Sequence, residues 1–102
     1  MAMATPVNVW INLLNKAEVL VKAGRVGEAV QTLASDPNLY NRIATGVIQA
    51  LQSYPGGAVA DLNGNIWPTH ALVSRVRRGD WSAPPLTNFL LAEIQEVRAS
   101  LR

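Results

Sequence analysis

The sequence predicts an all-α fold, a compact bundle of about five helices with a short turn or β-ribbon near residues 57–67. Apolar residues recur at i, i+3, i+4 and i+7 in several separate segments, the period of a helix that buries one face. Prolines and most glycines fall between those segments, where they end helices rather than break them. At 102 residues the chain can build one modest core but not two, so residues 1–102 are expected to form a single helical domain, with 1–5 disordered.

Thr5-Pro6 is a favourable opening for the first helix, because the Thr oxygen accepts an orphan amide and Pro lacks the amide that would go unpaired. Its stripe is Trp10, Leu13, Leu14, Ala17, Leu20 and Val21, and Gly24 ends it. Ile11 and Val19 lie off that stripe, so this helix is expected to be contacted from two directions. The second helix starts near Val26 and carries Val26, Ala29, Val30 and Leu33 on one face. Asp36-Pro37 caps the third, whose stripe runs through Leu39, Tyr40, Ile43, Val47, Ile48, Leu51 and Tyr54 until Pro55-Gly56-Gly57 stops it. Asn63-Gly64, between Val59-Ala60-Asp61-Leu62 and Asn65-Ile66-Trp67, signals a two-residue type I′ hairpin turn, in which both central residues take positive φ. Pro68-Thr69 opens a fourth helix that runs to about Arg78 and closes at Gly79-Asp80. The fifth follows Pro84-Pro85, with Leu86, Phe89, Leu90, Ile94, Val97 and Leu101 on one face.

Composition excludes several functions. Half the residues are apolar (49%) and only 16% are charged, against a usual charged fraction of about 25%, so the chain is not intrinsically disordered. Without cysteine there is no disulfide framework or thiolate metal site, and a single His cannot make a His-rich one. No metal or cofactor is expected, and no small-molecule substrate is evident. The N-terminus carries no basic segment ahead of an apolar stretch, and no window resembles a membrane span, so a cytoplasmic protein without membrane contact is expected.

The densest charge feature is Arg75, Arg77 and Arg78, with Trp81 just beyond. Guanidiniums grouped at a helix C-terminus offer a phosphate clamp, and an indole offers a stacking face. They also complement the helix dipole, and Asp80 is near enough to neutralise one of them. A net charge of +2 is a weak footprint for a nucleic-acid binder. Ala60-Asp61-Leu62-Asn63-Gly64 followed by Leu72-Val73-Ser74-Arg75-Val76-Arg77-Arg78-Gly79 resembles a helix-turn-helix reader of the repressor type. That resemblance implies that Thr69, His70, Ser74 and Arg75 face bases while Arg77 and Arg78 hold phosphates. Separately, Gly24, Glu28 and Ala29 within Leu20 to Pro37 resemble the waist of a tetratricopeptide hairpin, which implies an antiparallel helix pair.

Catalysis finds little support, and no catalytic residue is expected. His70 has no acidic neighbour in sequence, Ser35 and Ser74 have no activating partner, and Glu93 with Glu96 is an ordinary solvated i, i+3 pair. Asp61-x-Asn63-Gly64-Asn65 begins like a calcium loop, but Leu72 stands where the closing glutamate is needed.

Apolar surface is the remaining candidate. Trp10, Trp67 and Trp81 are a heavy aromatic load for one small core, so at least one is expected at an interface. The stripe Leu86, Phe89, Leu90, Ile94, Val97 and Leu101 approaches heptad spacing. A second copy or the first helix of the same chain would cover it equally well. These features lead to the expectation of a non-enzymatic interaction or assembly module that self-associates or binds a protein partner through apolar helix faces. Nucleic-acid binding through residues 69–81 is the alternative.

Overall fold

A computed structural model describes residues 7–101. It is an all-α bundle carrying a short ribbon. Its helices are α1 (Val7–Lys22), α2 (Val26–Ala34), α3 (Pro37–Gln52), α4 (Thr69–Arg77) and α5 (Pro84–Ser100). Between α3 and α4, a single 3₁₀ turn leads into strands β1 (Ala58–Ala60) and β2 (Ile66–Pro68), paired antiparallel. The expected Thr5-Pro6 cap and the expected disorder of 1–5 lie outside the described residues.

Local chemistry sets the boundaries. Asp36 caps α3, its Oδ1 accepting from the Asn38 and Leu39 amides at 3.0 and 3.2 Å, and Pro37 occupies the first helical position, where no amide is needed. The C-terminus of α4 closes in a Schellman turn: Gly79, at φ +78°, donates to the Val76 carbonyl and Asp80 to that of Arg75. The same pattern follows α1, where Gly24 donates to Val21 and Arg25 to Leu20, and α2 then packs against α1 as the hairpin resemblance implied.

One continuous core joins all five helices. Leu14, Ala17 and Val21 of α1 meet Leu33 of α2, Leu39, Ile43, Val47 and Leu51 of α3, Leu72 and Val76 of α4, and Leu86, Leu90, Ile94 and Val97 of α5. Most of these side chains are wholly buried, which stabilises the fold by about 1.5–3 kcal/mol for each large aliphatic. The helix α5 packs against both α1 and α3. Of the two covers left open for its stripe, the same chain supplies the one seen, α1 together with α3, so Leu86, Leu90, Ile94 and Val97 are not the interface residues expected as the other choice. Leu86, Leu90 and Ile94 are fully buried and Val97 nearly so within one chain, and Leu101 is half-buried against the same core.

The two seams of α5 differ in their polar chemistry. On the α1 side, Arg98 Nη1 donates to Glu18 Oε1 at 2.5 Å and to Asn15 at 2.7 Å, and Gln95 donates to Glu18 Oε2 at 3.1 Å. These bonds, that of Arg98 first, hold the Glu18 carboxyl down at about 2. On the α3 side, the Glu93 carboxylate lies over Gly46, in the space a β-carbon would occupy. Burial, reinforced by Glu96 and opposed by Arg42, pushes its pKa up.

The ribbon departs from the two-residue turn. Among the described residues no residue other than glycine has positive φ, so Asn63 does not adopt the type I′ conformation. The loop is instead a three-residue one, Leu62 to Gly64, with Gly64 alone at φ +82°. Asp61 is responsible: its Oδ1 accepts from the amides of Asn63 (2.9 Å) and Asn65 (3.0 Å), which fastens a wider Asx-type turn.

Candidate functional site

The indoles that the sequence marked as candidate anchors all spend their N–H groups inside the chain. Trp10 donates to Asp36 Oδ2 at 2.9 Å, tying the start of α1 to the cap of α3. Trp67 donates to Asp61 Oδ2 at 3.0 Å across the hairpin, and Trp81 to the Tyr40 hydroxyl at 3.0 Å. Trp81 is only 5% exposed and meets the Tyr40 ring edge-on at 6.4 Å. It is therefore no stacking platform for a base, and Trp10, half-buried and pinned, is no free anchor for a partner. An elongated bundle with a ribbon at one end provides three separate seats for three rings, which the volume of a single core did not suggest.

The arginine cluster is likewise divided. Arg75 Nη1 pairs with Asp80 Oδ2 at 3.0 Å while its guanidinium stands 5.3 Å from the centre of the Trp67 ring, a cation–π contact that locks the ribbon to α4. Asp80 is held below the usual carboxylate range, chiefly by the Ser82 hydroxyl and amide and then by Arg75 and Arg78. Arg78 reaches Asp80 only at 3.9 Å. Arg77 and Arg78 are exposed, as are His70 and Ser74. Thr69 is half-buried, its hydroxyl donating to the Gly57 carbonyl at 3.2 Å. The helix-turn-helix reading is corrected on its first half, because Ala60 to Gly64 form strand and turn rather than a helix.

Of the large apolar side chains left exposed among the described residues, Val7, Val9 and Val19 are spread along α1, while Tyr54, Leu62 and Ile66 lie at the ribbon end. Leu62, at the tip of the turn, is wholly exposed, Ile66 is 66% exposed and Tyr54 is 41% exposed. Tyr54 meets Phe89 of α5 edge-on, ring centres 5.8 Å apart. Beside this pair, β1 and the first half of α5 stand apart and leave an open cleft of about 720 Å³. Tyr54, Val59, Leu62, Pro84, Pro85 and Phe89 supply apolar walls, and Asn63, Thr87 and Asn88 supply polar ones. Among the described residues Asp61 is the only charged side chain along it. Its carboxylate is held low first by the Trp67 N–H and then by the Asn65 and Asn63 groups. Such a volume falls within the about 300–1,000 Å³ typical of ligand-binding clefts.

Of the residues expected at an interface or a nucleic-acid contact, only Phe89 lines this cleft. Leu62 and Tyr54 read from sequence as parts of regular elements, a strand and a helix stripe, rather than as exposed surface. The available signal was a large aliphatic residue beside the turn pair Asn63-Gly64, where the chain turns through water.

Among the described residues no group of three His, Asp or Glu side chains could hold a metal ion, and no helix is long and apolar enough to cross a membrane. Comparison with known protein families, curated proteins and solved structures gives no match.

Proposed function

We propose that this chain is a non-enzymatic protein-interaction module whose contact surface is the ribbon end and its cleft. One observation carries the reading. The fold buries its helical stripes internally, yet leaves Leu62 and Tyr54 in water on a cleft walled by Val59 and Phe89, with Ile66 exposed on the other face of the ribbon. Exposed apolar side chains grouped beside a concavity mark binding surfaces more often than scattered ones do. The helix faces expected to bind are thereby replaced by a different apolar surface of the same chain. A photo-crosslinking amino acid at position 62, expressed in the native host, should trap a discrete protein adduct. The same group at Thr45, exposed on α3, should trap none. Equal labelling from both positions, or none from either, would sink the proposal.

Nucleic-acid binding is the second reading, favoured by one observation. His70, Ser74 and Arg77 follow at i, i+4 and i+7 on the exposed side of α4, and Arg78 continues that surface. Here the phosphate contacts come from Arg77 and Arg78, since Arg75 is committed to Asp80 and Trp67. The double variant Arg77→Ala, Arg78→Ala should abolish gel retardation of duplex DNA or RNA at low salt. No retardation by the unmutated chain ends this reading.

A further inference from the structure

Resting on the interaction reading above, we infer that the cleft takes an uncharged, extended segment of a protein partner, which adds to the free edge of β1 as a third strand. Register supplies the first argument. Ala58 faces Pro68, Val59 faces Trp67 and Ala60 faces Ile66, and the Asp61 amide donates to the Asn65 carbonyl at 2.9 Å. Hydrogen-bonded pairs alternate along an antiparallel ladder, so Asp61 with Asn65 and Val59 with Trp67 are the bonded pairs. Pro68 accordingly falls at an unbonded position, where its missing amide costs nothing. The amides and carbonyls of Ala58 and Ala60 therefore point away from β2. Among the described residues no hydrogen bond is formed to any of those four groups.

The free edge of β1 also lies in an unusual place. Strands normally protect a free edge with charge, proline or a covering element. Here the cleft opens between β1 and α5, so the edge borders a concave apolar space. An extended peptide is the occupant that satisfies an edge and fills side pockets with alternate side chains at once. A helix satisfies its own backbone and would leave the four groups unpaired. Charge supplies the third argument. Asp61, the one carboxylate in the lining among the described residues, already accepts from the backbone amides of Asn63 and Asn65, from the Asn65 side chain and from the Trp67 indole. The walls thus offer no free partner to a charged side chain, and the matching stretch is apolar or neutral.

The test is a random octapeptide phage library selected on the full chain, followed by NMR amide exchange with the enriched peptides. Strand addition predicts consensus sequences with apolar residues at alternate positions and at least tenfold slower exchange of the Ala58 and Ala60 amides on binding. N-methylation of every second peptide residue should weaken binding at least tenfold. Ala60→Pro should do the same, because it removes an outward amide without touching the pairing with β2; its unaltered circular dichroism would confirm folding. Peptides with i, i+3, i+4 spacing that perturb Phe89 and Leu62 but leave Ala58 and Ala60 exchange unchanged would overturn strand addition while sparing the interaction reading. Protection of those amides without peptide, in a concentration-dependent dimer seen by sedimentation, would assign the edge to a second copy and also overturn the inference. Enrichment of no peptide, together with no adduct from position 62, would overturn both.

Discussion

The helical body and the ribbon end treat their apolar residues in opposite ways. In the body, side chains at helical spacing are covered on every side: Leu33, Leu39, Ile43, Leu90 and Ile94 are fully buried. At the ribbon end, Val59 and Trp67 point inward, while Ile66 on the opposite strand face and Leu62 in the turn meet solvent. A two-stranded ribbon has two faces, and the bundle covers only one. The body thus uses its helical stripes for stability and, among the described residues, leaves only scattered valines of α1 in water. The exposed side chains of the ribbon end instead border a cleft, the surface proposed above for a partner.

The strongest way to break this contrast is to truncate one residue on each side of it. Ile94→Ala should cost about 2–5 kcal/mol in chemical denaturation, since the fully buried site cannot collapse without leaving a cavity. Leu62→Asp should stay within about 0.5 kcal/mol of the parent chain. A comparable loss from both would mean that Leu62 is structural.

A smaller effect is expected where the two regions join. Arg75→Ala removes the ion pair to Asp80 and the cation–π contact to Trp67 together, and should lower stability by about 1–2 kcal/mol. Amide exchange in β1 and β2 should quicken more than exchange in α1. Uniform acceleration would show that the ribbon is not separately anchored.

The seams of α5 sharpen the picture through pH. Glu18 is held at about 2 against an ordinary 4.5, so its pairing with Arg98 stabilises the fold fully above pH 4.5 and is lost as pH falls toward 2. Arg98→Ala should flatten the stability profile in that window. Glu93 has the opposite sign: its raised pKa means that the charged form disfavours the fold above the raised value, and the penalty disappears below 4.5. Glu93→Gln should therefore be slightly more stable than the parent at pH 7 and equal to it at pH 4. Gly46→Ala, which pushes the same carboxylate toward water and improves helix propensity by up to about 1 kcal/mol, should be neutral or mildly stabilising. A loss above about 1 kcal/mol would mean that the close approach of α3 and α5 depends on the glycine.

The five helices were legible, and so were their boundaries where period, caps and breakers agree, at Asp36-Pro37, Gly24 and Gly79. Elsewhere α5 begins at Pro84, inside the expected link, and α3 ends at Gln52, before Tyr54. The ribbon was legible too, but its turn was not, since Asp61 outbids the Asn63-Gly64 preference through side-chain bonds that a two-residue rule ignores. The site was mostly illegible. Periodicity shows that the last helix has an apolar stripe without showing which neighbour covers it, and a row of arginines does not reveal that Asp80 and Trp67 occupy Arg75. Leu62 was hidden for the reverse reason, because nothing in local hydropathy distinguishes an inward strand residue from the tip of a loop.

The central claim is that the ribbon end is the surface by which this chain meets other proteins. Its most direct test is a ¹H–¹⁵N NMR spectrum of the labelled chain recorded in concentrated extract of its native host. The account predicts shifts or broadening confined to Tyr54, Ala58 to Trp67 and the Phe89 region, abolished by Leu62→Asp. Perturbation that maps instead to His70 through Arg78, or that leaves the ribbon end unchanged, would contradict it.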